Sequence, residues 1–142
     1  MAEPRLHHVG YVVSDVEESL PNWTASLSAR WVSAVFHDPL QKVKVVFLQP
    51  ASEDAVQVEL VAPAGDGSPV APFLNKGGGL HHMCYQVDDL EAHIADMKLS
   101  KAVLIRPPKP AVAFGSRRIA WMVTRERLVV EYLERRLPET GA

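Results

Sequence analysis

The chain has 142 residues, 47% of them hydrophobic, and a formal net charge of −2, which is enough apolar material for a core of ordinary domain size. With a pI near 6.3 and no basic run longer than the pairs Arg117-Arg118 and Arg135-Arg136, it carries no electrostatic footprint for nucleic acid. Cys84 has no second cysteine to pair with, no apolar stretch approaches the ~18 residues of a membrane span, and the first five residues have neither signal-peptide nor transit-peptide character, so a soluble cytoplasmic protein is expected.

Residues 6–13 are apolar and rich in β-branched side chains, which predicts a strand. Ser14 and Glu17 then form a capping-box pattern that opens a helix, and Pro21 predicts either a kink there or a break resumed at Asn22. Residues 30–37, 42–49 and 55–61 read as three strands separated by turn-forming segments. Ser68 as N-cap with Pro69 at the first helical position predicts a short helix over 70–76, stopped by Gly77, Gly78 and Gly79. A second strand-helix pair follows, with a strand over 80–87, a start signal at Asp88 and Glu91, and Leu90, Ile94 and Met97 along one helical face. Residues 102–106, 118–124 and 128–133 are the last three expected strands. Between them, 107–116 is the longest loop, kept from being strand throughout by Pro107, Pro108, Pro110 and Gly115, and long loops over open sites commonly carry function.

The order strand, helix, three strands thus occurs twice, and the repeat is visible residue by residue. At a shift of 74, Leu6-His7-His8 overlies Leu80-His81-His82, Tyr11 overlies Tyr85, Val13 overlies Val87, and Asp15 and Glu17 overlie Asp89 and Glu91. Further on, Val56-Gln57-Val58-Glu59-Leu60 resembles Leu128-Val129-Val130-Glu131-Tyr132 at a shift of 72. Half-domains of about 70 residues are marginal alone and are expected to share one core. The expected organisation is one domain over 1–142, with module one at about 5–62, a linker helix at about 63–78 and module two at about 79–134.

Each half offers a histidine near its start and a glutamate near its end. The two-residue strand period groups His8 with Leu6, Gly10 and Val12, and places His7 on the other face with Val9, Tyr11 and Val13. In the second half His82 lies with Leu80, Cys84 and Gln86. Small or polar neighbours fit a cavity face, so His8 and His82 are the candidate ligands, while the larger side chains opposite fit packing against helices. Glu59 and Glu131 sit inside apolar strands, where an ionised carboxylate is costly unless paired or bound to metal. Singly, each of the four reads as a solvent-facing carboxylate or a hydrogen-bonded histidine; their recurrence in register favours a metal. Two neutral imidazoles and two carboxylates balance a divalent charge and leave positions for water or substrate, in a mixed set that suits Co, Mn, Ni, Fe or Zn alike. Cys84 is expected to pack rather than ligate.

On these residues the chain resembles the vicinal oxygen chelate superfamily, which includes glyoxalase I, extradiol dioxygenases and antibiotic-resistance proteins. The stretch 67–74, with Gly79-Leu80-His81-His82-Met83 and Val87-Asp88-Asp89-Leu90, looks most like its methylmalonyl-CoA epimerase branch. The resemblance covers about residues 6–133. It implies an α+β fold in which two βαβββ modules form a cupped, barrel-like mixed sheet around one divalent ion held by His8, Glu59, His82 and Glu131, usually in a homodimer. It also implies α-proton exchange on a 2-methyl-branched acyl-CoA, with thioester and carboxylate oxygens chelated, the enolate stabilised and Glu131 as the catalytic base. Residues 42–48 carry no carboxylate to act as the second acid/base group. Phe114, Gly115 and Ser116 fall where the family has a loop closing over the acyl group, and Lys109, Arg117 and Arg118 either meet CoA phosphates or form a solvated basic edge. The alternatives are a glyoxalase I type lactoylglutathione lyase, which shares the four ligands, and a resistance-type binding protein without turnover, against which the filled ligand set counts.

Overall fold

The computed structural model describes residues 3–135, so the two ends of the expected 1–142 unit lie outside them. In chain order the elements are β1 (Arg5–Val12), α1 (Val16–Leu27), β2 (Trp31–Val32), β3 (Phe36–Asp38), β4 (Val43–Gln49), β5 (Gln57–Pro63), α2 (Ala71–Asn75), β6 (Gly79–Val87), α3 (Leu90–Leu99), β7 (Val103–Pro110), a single 3-10 turn (Val112–Phe114), β8 (Arg118–Val123) and β9 (Val129–Glu134). Among the described residues no helix is long and apolar enough to cross a membrane.

Both main helices start one residue later than the sequence pattern predicts. Asp15, not Ser14, caps α1 by accepting the Glu18 N–H at 2.9 Å, and Asp89, not Asp88, caps α3 by accepting the Ala92 N–H at 3.0 Å. Asp88 instead takes an ion pair from Arg135 at 2.6 Å. Helix α1 runs unbroken through Pro21, whose ring is exposed, because Leu20, Trp23 and Leu27 hold it on the sheet. Ser68 does not cap α2: its hydroxyl is buried without a hydrogen-bond partner, and the helix is only Ala71–Asn75.

The strands form one mixed sheet in the order β2-β4-β5-β1-β6-β9-β8-β7, with β3 also on β4. A pseudo-twofold passes between β1 and β6. On either side of it β1 runs parallel to β5 and β6 parallel to β9, while β1 and β6 are antiparallel. The expectation of a cupped, barrel-like sheet is overturned: the sheet is open, neither closed nor strongly curled, with β7 at one edge and β2 and β3 at the other. Both edges are chemically blunted. Strand β7 extends through Pro107, Pro108 and Pro110, where the sequence predicts loop, with two register shifts against β8; prolines lack the N–H a further ladder needs, and an edge tolerates them. The strand expected over 30–37 is broken because the Ser33 hydroxyl accepts the Phe47 N–H at 2.9 Å in place of a main-chain carbonyl.

Alternation along the strands sorts the side chains into two layers. Val46, Leu48, Leu60 and Ala62 pack with α1, and Ala120, Met122, Val130 and Tyr132 pack with α3. On the opposite face Val43, Val45, Phe47, Val61, Cys84, Phe114, Ile119 and Leu133 form a third cluster around the site. Asp38 ties the two modules together on that face. Its Oδ1 accepts the N–H groups of Leu40 and Gln41, and its Oδ2 accepts the Val112 N–H, all at 3.0 Å. Replacing Asp38 with alanine removes three charge-assisted bonds and is expected to lower stability by about 2–3 kcal/mol, read as a lower urea midpoint at unchanged slope; an unchanged midpoint would contradict this role.

Candidate metal centre and its cavity

The four central strands β5, β1, β6 and β9 each present one of the expected ligands on the face away from the helices. Register explains how they meet. Gly10 on β1 lies between Glu59 on β5 and His82 on β6, and Cys84 on β6 lies between His8 on β1 and Glu131 on β9. Each row therefore reads carboxylate, small residue, imidazole, and the pseudo-twofold exchanges the rows. The small middle residue leaves room for the ring beside it: a Cβ on Gly10 would stand 2.1 Å from His82 Cε1.

His8, Glu59, His82 and Glu131 are all buried, at 0%, 5%, 2% and 3% exposure. Their ligand atoms lie within 4.8 Å of one another and come from one chain. His8 Nε2 is 3.4 Å from Glu59 Oε1 and 3.1 Å from Glu131 Oε1, and His82 Nε2 is 3.2 and 3.4 Å from the same two oxygens. The two Nε2 atoms are 3.2 Å apart. Ligands ~2.1 Å from a common ion lie ~3.0 Å apart at right angles and ~3.4 Å apart in a tetrahedron, so the observed separations match a shared ion. Glu131 Oε1 is buried and accepts no well-formed hydrogen bond despite the nearby nitrogens, which leaves a lone pair aimed at the centre. The residues fit one divalent cation, and their mixed nitrogen and oxygen set is that of a divalent metal site.

Burial opposes charge on every member, and the cluster outweighs it. His8 is raised well above the ordinary histidine value by Glu59 and Glu131, and His82 is raised by Glu131 and Glu59, in each case against burial. Burial pushes Glu59 and Glu131 upward, but His8 and His82 hold both below the usual carboxylate range. Burial, with Glu131, pushes the Cys84 thiol up, so it stays protonated although it also groups with His7 and His8. A raised imidazole keeps its proton to higher pH, so an ion needing the Nε2 lone pair must expel it, whereas the lowered carboxylates are already ionised. Titration calorimetry at pH 7 in buffers of different ionisation enthalpy is expected to show release of at least one proton per ion, with affinity weakening as pH falls. Affinity independent of pH between 6 and 8 would contradict it.

A cavity of about 260 Å³ opens onto the centre. Glu59, His82 and Glu131 form its floor, and Val43, Val45, Val61, Ala111, Phe114, Ile119 and Trp121 much of its wall. Phe114 lies nearly parallel to the His8 ring at 6.0 Å, and Trp121 meets His82 edge-on at 4.6 Å. Of the expected substrate contacts, Phe114 lines the cavity, while Lys109, Gly115, Ser116 and Arg117 are not among its lining residues. Lys109, Gly115 and Ser116 are exposed; Arg117 stands 5.8 Å over the Phe114 ring and donates from Nε to the Phe114 carbonyl. Arg118 is held by Glu91 and Glu134. Sequence reasoning missed Asp38, Gln41, Arg106 and His81, which also line the cavity. It also set His7 and His81 on the helix side, whereas both rings lie beside their neighbours, with centroids 5.0 Å apart in each pair. Burial first, and then the neighbouring His8 or His82, lowers their pKa to about 4. The doubled His-His dipeptide was the available signal.

Residues 7–121 match the family model of the Glyoxalase/Bleomycin resistance protein/Dioxygenase superfamily. The chain belongs to this superfamily. The four candidate ligands lie on the four central strands, two from each half of the chain. The chain is 34% identical over 110 residues, 76% of this chain and 79% of the other, to an ethylmalonyl-CoA/methylmalonyl-CoA epimerase of Cereibacter sphaeroides. It is 38% identical over 99 residues to the mitochondrial methylmalonyl-CoA epimerase of Homo sapiens, a match covering 68% of this chain and 54% of that protein; the matched region thus spans about half the length of that human relative. Among solved structures, a hypothetical protein from Bacillus halodurans C-125 superposes with a TM-score of 0.81 at 25% identity, covering 99% of this chain and 100% of that one. A methylmalonyl-CoA epimerase superposes with a TM-score of 0.76 at 26% identity, covering 96% and 100%.

Proposed function

We propose that the chain is a divalent-metal-dependent epimerase that exchanges the α-proton of a 2-methyl-branched acyl-CoA such as methylmalonyl-CoA. The observation that carries this reading is the complete buried set of His8, Glu59, His82 and Glu131, three of which, Glu59, His82 and Glu131, line the floor of an apolar cavity, in a chain whose relatives include epimerases of this name. A divalent ion held there supplies Lewis-acid stabilisation of the charge developing on the substrate's carbonyl oxygen. The protein's own groups supply the proton chemistry. Glu131, whose buried Oε1 accepts no well-formed hydrogen bond, takes the α-proton on one face. Return on the other face needs a second group. Asp38 is the other lining carboxylate besides Glu59, and both its oxygens already accept backbone N–H groups, which leaves Glu59. The apolar walls keep water from the exchanging carbon. In this reading Phe114, Gly115 and Ser116 close over the acyl group, Lys109 and Arg117 meet the CoA moiety, and the protein is a cytoplasmic homodimer.

Side-by-side turnover decides between this and glutathione chemistry. Interconversion of the two methylmalonyl-CoA epimers, with no turnover of the thiohemiacetal of methylglyoxal and glutathione, is expected. Turnover of the thiohemiacetal alone would replace the proposal with the lyase reading.

A further inference from the structure

Both His-His dipeptides sit at β-bulges, and the bulges are related by the pseudo-twofold. Between β1 and β6, Leu6 faces Tyr85 and His8 faces Cys84, which leaves His7 as an extra residue on β1. A few residues along, Gly10 faces His82 and Tyr11 faces Leu80, which leaves His81 as the extra residue on β6. A bulge breaks strict alternation and re-aims a side chain, and here each brings a second imidazole to the face that carries the ligands. The contacts are the same in both modules: His7 Nδ1 is 2.7 Å from His8 Nδ1, and His81 Nδ1 is 2.8 Å from His82 Nδ1.

Two ring nitrogens approach this closely only when one carries the hydrogen. His8 and His82 turn their Nε2 atoms toward each other and toward Glu59 and Glu131. A lone pair on Nε2 for an ion requires the proton on Nδ1. Each outer Nδ1 must then be a bare acceptor, with the outer proton on its own Nε2. The outer rings are themselves clamped, His7 between the edges of Phe47 and Phe114 at 6.3 and 5.6 Å, and His81 between Phe73 and Trp121 at 5.0 and 5.8 Å.

We propose that His7 and His81 are paired positioning residues of the metal centre, each accepting the Nδ1–H of the next residue and so fixing the tautomer and ring orientation that present Nε2 of His8 and His82 to a divalent ion. The inference rests on reading the four-residue cluster as a metal centre. Loss of such an outer partner weakens metal binding by about 10- to 100-fold in comparable sites.

The test is the affinity of the full chain for Zn²⁺ alone, by chelator competition, with the melting temperature of the metal-free protein measured alongside. Phenylalanine at His7 or His81 keeps a ring in the clamp without an acceptor, and asparagine offers a carbonyl oxygen near the place of Nδ1. His7→Phe and His81→Phe are each expected to weaken Zn²⁺ binding about 10- to 100-fold, and His7→Asn and His81→Asn to recover most of that loss. In the zinc-loaded wild type, nitrogen-15 NMR is expected to find the protons of His8 and His82 on Nδ1. Phenylalanine variants that bind Zn²⁺ as wild type does would overturn the proposal, as would asparagine variants no better than phenylalanine ones with a matching fall in metal-free melting temperature, since that pattern is packing. A wild-type chain that fails to bind any divalent ion would instead remove the metal reading itself, and this inference with it.

Discussion

Gly10→Ala is expected to cost the protein its metal while leaving most of its fold. Gly10 occupies ordinary strand conformation, so alanine meets no backbone penalty there. The obstacle is the His82 ring, whose Cε1, Nδ1 and Nε2 would stand 2.1, 2.6 and 2.6 Å from the new methyl group. Backbone hydrogen bonds hold Gly10 between β5 and β6, so the imidazole must move, and it carries one of the four donors away from the other three. Displacing a ligand in this way is expected to weaken metal binding by about 100-fold or more, beyond what loss of an outer partner costs. Overpacking itself costs only about 1–3 kcal/mol. Metal content after dialysis, compared with the wild type, checks it. A variant that keeps a stoichiometric ion would show that His82 is not held where the register puts it.

Glu131→Gln is the other change with a large expected effect. The amide keeps the shape of the side chain and removes both its charge and its basicity. Lost basicity is expected to slow α-proton exchange by about 10²- to 10⁴-fold, the usual contribution of a positioned base. Lost charge leaves a divalent ion faced by a single carboxylate, so metal retention weakens as well. Measuring exchange at saturating metal separates the two effects. Full activity under those conditions would remove Glu131 from the site.

That four residues could cluster as candidate ligands was legible because the chain repeats itself: His8 and His82 at one shift, Glu59 and Glu131 at another, lie on central strands whose pairing brings them together. A repeat is a long-range signal in a linear sequence, and few other long-range signals exist. What went unread depended on local geometry that residue types do not encode. Strict alternation set His7 and His81 facing the helices, and one extra residue in each ladder reversed that. Neighbouring residues competed for each helix cap, and Asp15 and Asp89 won over Ser14 and Asp88. The prolines in 107–110 argue against a strand only in the sheet interior, and β7 is an edge. The barrel expectation came from the resemblance, and convergence does not need it: four adjacent strands of an open sheet bring the four side chains within reach. Asp38 gave no signal, because its partner Val112 lies 74 residues away.

The most direct test of the account is proton NMR of methylmalonyl-CoA in D₂O with the protein stripped of metal and then reloaded with Co²⁺ or Mn²⁺. The α-hydrogen signal is expected to persist with the stripped protein and to disappear at a catalytic rate after reloading. Persistence of the signal with a stoichiometrically loaded protein would contradict the proposed reaction, and exchange at full rate without metal would contradict the role of the four-ligand centre.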